Sequence, residues 1–214
     1  NDSKTFSDNT TYSDDYYPPG TIQVTYGKSE FQTPLVGISN KVKYDELIEP
    51  WGGVDNILKI HSLNPESLDM HVKMYKTVMY GKSPIKRRDR EMIAVVVSTI
   101  NHCHYWIAHH GEGLLKLTKD DVLVKQLKAD YKLADVSPSQ MAMLDYAAKL
   151  TSRPSDMIES DLIKLRDNGF NDRSILDINQ IIAYFAYVNR VADGLGVELE
   201  EFWDKKKKWQ TLIS

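Results

Sequence analysis

The 214-residue sequence has a single cysteine. No disulfide can form within the chain, which excludes a disulfide-framed secreted scaffold. Long hydrophobic runs are missing too. The longest clearly apolar stretches, Met92–Val97 and Ile181–Val188, fall far short of the roughly 18 residues a membrane helix needs, so no membrane association is expected. Excess charge of one sign is also absent, with 27 Lys and Arg against 30 Asp and Glu, a net charge of −3. Asp2, Asp8, Asp14 and Asp15 against Lys4 carry that imbalance, and the rest of the chain balances. The basic footprint of a nucleic-acid binder is therefore lacking. The one basic block, Lys205–Lys208, reads as a solvated segment end. Residues 1–20 contain no Val, Ile, Leu or Met, so no cleavable signal peptide is visible there and a cytoplasmic location is expected.

What is present is enough for a globular core. A chain of this length, 42% hydrophobic and 27% charged, buries on the order of 70% of its extended surface without a disulfide or metal staple. Residues 1–35 read as a polar, irregular extension broken by Pro18-Pro19-Gly20, with one alternating segment, Ile22–Tyr26, that suits a short strand pairing with a partner chain. Residues 36–214 form the second unit, helical in pattern from Val42 onward.

Punctuation sets the helices. Asn64-Pro65 opens a helix over Glu66–Tyr80, and Gly81 stops it. Ser83-Pro84 opens another that reaches about Ile100, and Asn101 reads as the cap of the next, ending near Leu117. Thr118–Asp121 starts a further helix. Ser137-Pro138-Ser139-Gln140 is a capping box before Met141–Thr151, and Asn168-Gly169 ends Ser160–Asp167. A long apolar helix from Asp172 to about Asp193 follows. About eight helices and at most one strand make the fold class all-α. Ile93-Ala94…Asn101 faintly echoes Ile182-Ala183…Asn189.

One segment carries chemistry. Residues 91–110 hold Glu91, Cys103, His102, His104, His109 and His110. With Asn101 as cap, Cys103 lies in the first helical turn, where unpaired N–H groups and the helix dipole lower a thiol's pKa. The alternative is a buried, inert cysteine. The four histidines are separated by 1, 2, 5, 6, 7 or 8 positions, so no two share a helical face at i,i+3 or i,i+4. No metal and no cofactor is expected; a metal would need ligands from elsewhere, such as His61 or His71. His110 reaches Trp106 one turn back. Glu91 sits on the preceding helix, and a helical hairpin would bring it toward the cysteine helix, where partial burial raises a carboxyl pKa and suits a proton shuttle. Its bland reading is a surface residue of the charged run Lys86–Glu91.

This segment resembles the alkylhydroperoxidase D-like group of the carboxymuconolactone decarboxylase superfamily, and more narrowly its peroxidase-related branch. The match lies in Glu91–Ser98, Asn101–Tyr105 and His109-His110-Gly111, with support from Pro50–Val54, Asn168–Phe170, Ala183–Phe185, Asn189–Asp193 and Leu195–Val197. It spans roughly residues 42–203. The resemblance implies an all-helical fold, a homo-oligomer, and a Cys-x-x-Cys site served by an upstream glutamate and a downstream histidine. Those positions fall on Glu91, Cys103 and His110, while the second cysteine is replaced by Trp106. Trp106, His109 and Tyr105 are expected at the substrate pocket, with Tyr105 in a packing or rim role.

The implied activity is peroxidase-like: an oxidoreductase reducing a small hydroperoxide through the Cys103 thiol, regenerated by an external thiol reductant and altered by the loss of the second cysteine. One alternative is cofactor-free acid–base chemistry of the lactone decarboxylase type, with His110 or His109 as the acid–base group. The other is a non-catalytic scaffold whose old site Trp106 fills.

Overall fold

A computed structural model describes residues 54–203. The Ile22–Tyr26 strand, the 1–35 extension and the Lys205–Lys208 block lie outside the described residues. The helices are α1 (Asn56–Lys59), α2 (Pro65–Tyr75), α3 (Arg87–Ile100), α4 (His104–Thr118), α5 (Asp121–Ala129), α6 (Pro138–Ser152), α7 (Glu159–Asp167) and α8 (Asp172–Gly194). Every described element is helical, with short 3₁₀ turns at Ile60–Leu63, Tyr131–Leu133 and Pro154–Asp156. No described helix is long and apolar enough to cross a membrane.

Helix α3 is the centre of the packing and touches α4, α5, α6 and α8. This explains why its middle is apolar on every face rather than on one stripe: Met92 to Val97 are all at most 1% exposed. Each of the Met, Ile and Val side chains among them contributes about 1.5–3 kcal/mol by burial. The capping box at Ser137 is present as the sequence implies. The Ser137 hydroxyl accepts from Gln140 N, and Gln140 Oε1 accepts from Ser137 N at 3.0 Å.

Three local departures from the sequence expectation matter for the site. The segment expected as one helix to Tyr80 is α-helical only to Tyr75, then widens into a π turn over Lys76–Tyr80. Helix α3 starts at Arg87, later than Ser83-Pro84 suggested. Arg90 accounts for the delay. Its guanidinium donates to the carbonyls of Ile85 (2.9 Å), Val78 (3.2 Å) and Gly81 (2.9 Å), fixing the intervening loop as non-helical chain.

The third departure concerns Asn101. It closes α3 instead of opening α4. His102 takes a left-handed conformation (φ 59°), its N–H bonds to Thr99 O, and Cys103 N–H bonds to Ser98 O at 3.0 Å. That is a Schellman closure with histidine where glycine is usual. Cys103 thereby becomes the N-cap of α4, one position earlier than a first-turn residue. The two echoing asparagines meet: Asn101 Nδ2 donates to Asn189 Oδ1 at 2.9 Å, and Asn189 Nδ2 donates to Ser98 Oγ at 3.1 Å. They lock the α3–α4 corner to α8.

Candidate active site

The α3–α4 hairpin brings Glu91 and His110 together. Both are buried, at 2% and 3% exposure. His110 Nδ1 donates to Glu91 Oε2 at 2.5 Å, and Arg87, one turn before Glu91, pairs with Oε1 at 2.5 Å. Gly113 admits this approach, since a side chain there would stand 3.3 Å from Glu91 Oε1. Burial pushes the Glu91 carboxyl up, but His110 and Arg87 outweigh it and hold the group below its usual range. The expectation of a half-buried glutamate with a raised pKa is corrected on both counts: Glu91 is only 2% exposed, and His110 and Arg87 together lower its pKa instead of leaving it raised. Its surface alternative is corrected as well.

Around the pair the walls are aromatic. Trp106 stacks on His110 with ring centroids 5.2 Å apart and planes at 23°, and donates its indole N–H to Val188 O at 3.0 Å. Phe185 and Tyr75 both meet the His110 ring edge-on, with centroids at 4.6 Å and 6.3 Å. The remaining ring nitrogen, His110 Nε2, is buried and has no hydrogen-bond partner among the described residues. Glu91, Trp106, His109 and His110 all line a cleft of about 1130 Å³ whose other walls include His71, Tyr75, Tyr80 and Trp203.

Cys103 lies elsewhere. Its side chain is fully buried and is not among the residues lining the cleft; Sγ sits 3.9 Å from Asn189 O on α8. The N–H groups of Trp106 and Tyr105 do pull the thiol's pKa down, as expected at a helix start. Burial acts more strongly and, with Asp193 nearby, the net result is a rise to about 12. The expected lowered thiol pKa is therefore corrected, because the dipole's benefit is smaller than the cost of a buried thiolate.

Sequence reasoning missed a second carboxylate. Glu200, 3% exposed, accepts from Asn56 N (2.8 Å) and Tyr105 Oη (2.7 Å) on Oε1, and from His109 Nε2 (2.8 Å) and Trp203 Nε1 (3.1 Å) on Oε2. Tyr105 is thus buried behind the cleft rather than lining it, while His109 lines the cleft and anchors this clamp. Glu200 alone gave no signal, being 91 positions from His109. Asp55, His109 and Glu200 bring one potential metal ligand each within 4.8 Å. Glu200's four acceptor sites are already taken, however, so the group reads as a hydrogen-bonded clamp. Burial raises the Glu200 pKa, but its donors overcome this and hold it at about 2.

The comparisons agree with this architecture. The family model for the carboxymuconolactone decarboxylase family matches residues 65–126. An uncharacterized peroxidase-related protein from Silicibacter sp. TM1040 is 37% identical, with 76% of this chain and 85% of that chain covered at a TM-score of 0.72. The chain belongs to the alkylhydroperoxidase D-like/carboxymuconolactone decarboxylase superfamily. Within that superfamily it is also similar to an uncharacterized peroxidase-related protein from Ralstonia eutropha JMP134, described as an alkylhydroperoxidase AhpD core, at 29% identity over 76% of this chain and 86% of that one, TM-score 0.71. A relative in Bacillus subtilis, the uncharacterized protein YdfG, is 26% identical over 64% of this chain and 91% of its own length. As a superfamily member the chain departs from a cysteine-pair site by holding one cysteine, consistent with an altered activity.

Proposed function

We propose that the chain catalyses cofactor-free proton transfer, of the carboxymuconolactone decarboxylase type, with His110 as the acid–base group. One observation carries the reading: an imidazole on the cleft wall whose Nδ1 is held by an ion-paired carboxylate and whose Nε2 is unpartnered. In this reading Nε2 takes the proton from substrate. Glu91 fixes the tautomer and stabilises the imidazolium that forms, and Arg87 keeps Glu91 ionised. Trp106 forms the apolar face against which a planar substrate rests.

A β-carboxylated lactone and simple enolisable ketones, followed by NMR in D2O for decarboxylation and carbon-bound deuterium, test it. Cys103→Ser is expected to retain turnover, and His110→Gln to lose about 100-fold or more. Turnover that needs Cys103 and tolerates His110→Gln would overturn the reading.

The second reading is hydroperoxide reduction through Cys103 with an external thiol reductant. The names of the 37% and 29% identical relatives favour it. It requires a thiolate to form at a fully buried sulfur, which is the weaker premise.

A further inference from the structure

Besides His110 Nε2, one other imidazole nitrogen is buried without a partner among the described residues: Nδ1 of His71. His71 lies on α2, 4% exposed, and lines the same cleft. Tyr75, one turn further along α2, lines the same cleft; its ring meets His110 at 6.3 Å and Tyr184 at 6.1 Å, and Tyr184 in turn meets His71 at 5.9 Å.

The surroundings define what His71 can offer. Its ring packs on His61 at 4.6 Å, and burial, then the His61 charge, pushes its pKa down to about 3, so it is neutral at physiological pH. His61 spends its own Nδ1 proton on Ile57 O at 2.8 Å. The Tyr184 hydroxyl stands 3.5 Å from His71 Nε2, and a phenol donating there leaves the ring proton on Nδ1. A histidine serving the core alone would have both nitrogens satisfied, because an orphaned buried donor is costly.

Building on the proton-transfer reading above, we infer that His71 is a second polar anchor of the cleft, its Nδ1–H donating to the oxygen of a planar carbonyl ligand whose acidic C–H meets His110 Nε2. The walls suit that ligand class. Tyr75, Trp106 and Tyr80 supply flat surface, and Leu58 and Met79 supply apolar bulk. The step is balanced without a redox partner. The C–H electron pair passes into an enolate, the proton passes to Nε2, and the charge developing on oxygen is met by a neutral imidazole N–H. Return of the proton from Nε2 to carbon completes the turnover. With a β-carboxylated ligand the C–CO2 bond breaks in place of the C–H bond, its electron pair forms the same enolate as CO2 leaves, and a solvent proton delivered through His110 Nε2 ends on carbon.

The test uses 4-nitrophenol, whose phenolate is a planar oxyanion with a strong absorbance, titrated against the full chain. The wild type is expected to bind at millimolar concentration or below, with a change in the His71 Nδ1 resonance by ¹⁵N NMR. His71→Phe should weaken binding about tenfold or more. His71→Asn, which keeps an amide N–H near the Nδ1 position, should restore binding to within about threefold. Circular dichroism and thermal melting show whether each variant is folded. If His71→Phe fails to fold, the His71→Asn affinity and the wild-type Nδ1 resonance decide. Unchanged affinity in a folded His71→Phe, no binding to the wild type, or an unmoved Nδ1 resonance would overturn the inference. His110→Gln should still bind the probe, so a failed role for His110 in proton transfer is separable from a failed anchor at His71.

Discussion

Two positions seven residues apart on α4 have opposite surroundings. Cys103, at the N-cap, is turned against α8, with its thiol pKa pushed up to about 12 and its sulfur near a backbone carbonyl. His110, two turns later, has a carboxylate on one nitrogen and an unpartnered second nitrogen on the wall of a cleft. A helix N-terminus is therefore insufficient to activate a thiol: a dipole contribution of about 0.3–1 kcal/mol is smaller than the several-unit rise that burial imposes on an ionisable group. The histidine, by contrast, has a specific carboxylate partner in Glu91.

The contrast can be broken at its strongest point first. Glu91→Ala removes a buried carboxylate between Arg87 and His110 and is expected to lower unfolding free energy by about 3–5 kcal/mol, read by urea denaturation. Cys103→Ala, which removes one buried sulfur and no charge partner, should cost about 1 kcal/mol. Equal costs would mean that the two positions are equivalent packing sites.

Acid sharpens the comparison next. Glu200 is depressed from 4.5 to about 2, so its stabilisation is fully present above about pH 4.5 and is lost as pH falls toward 2, on the order of 3 kcal/mol. Glu91, also depressed, loses its contribution in the same direction. His71, depressed from 6.5 to about 3, adds a loss that begins lower than pH 6.5. Urea midpoints at pH 7, 5 and 3 should fall monotonically, and Glu200→Gln should flatten the step between 5 and 3. The smallest expected effect is at the corner itself. His102→Gly relieves a left-handed histidine and should raise unfolding free energy by about 0.5 kcal/mol, the gain being partly offset by a more flexible unfolded chain.

Most of the fold was legible because its signals are local. Asn64-Pro65, the Ser137 box and Asn168-Gly169 each act within a few residues, and the structure keeps them at helix ends. The approach of the Glu91 helix to the cysteine helix and the Trp106–His110 contact were legible for the same reason, following from a hairpin and from i,i+4 spacing; that Glu91 would meet His110 was not. What was not legible depends on distant chain. Nothing in residues 91–110 says that α8 covers Cys103, or that Glu200 binds Tyr105 and His109. The late start of α3 depends on where the Arg90 guanidinium finds carbonyls, which no capping pattern records. Arg87 was visible at i−4 from Glu91, but a run of charges reads as a solvated face until the helix is known to be buried on that side.

In the proposed function the reacting group of this site is the imidazole and not the thiol. Its most direct test is the rate at which hydrogen peroxide oxidises Cys103 across pH, followed by intact mass with a sulfenic-acid trap in native and urea-unfolded protein. Slow oxidation is expected in the native state, far slower than in the unfolded chain, with no rise in rate until well above pH 8.5. Fast native oxidation with a midpoint well below about 8.5 would contradict it and return the site to thiol chemistry.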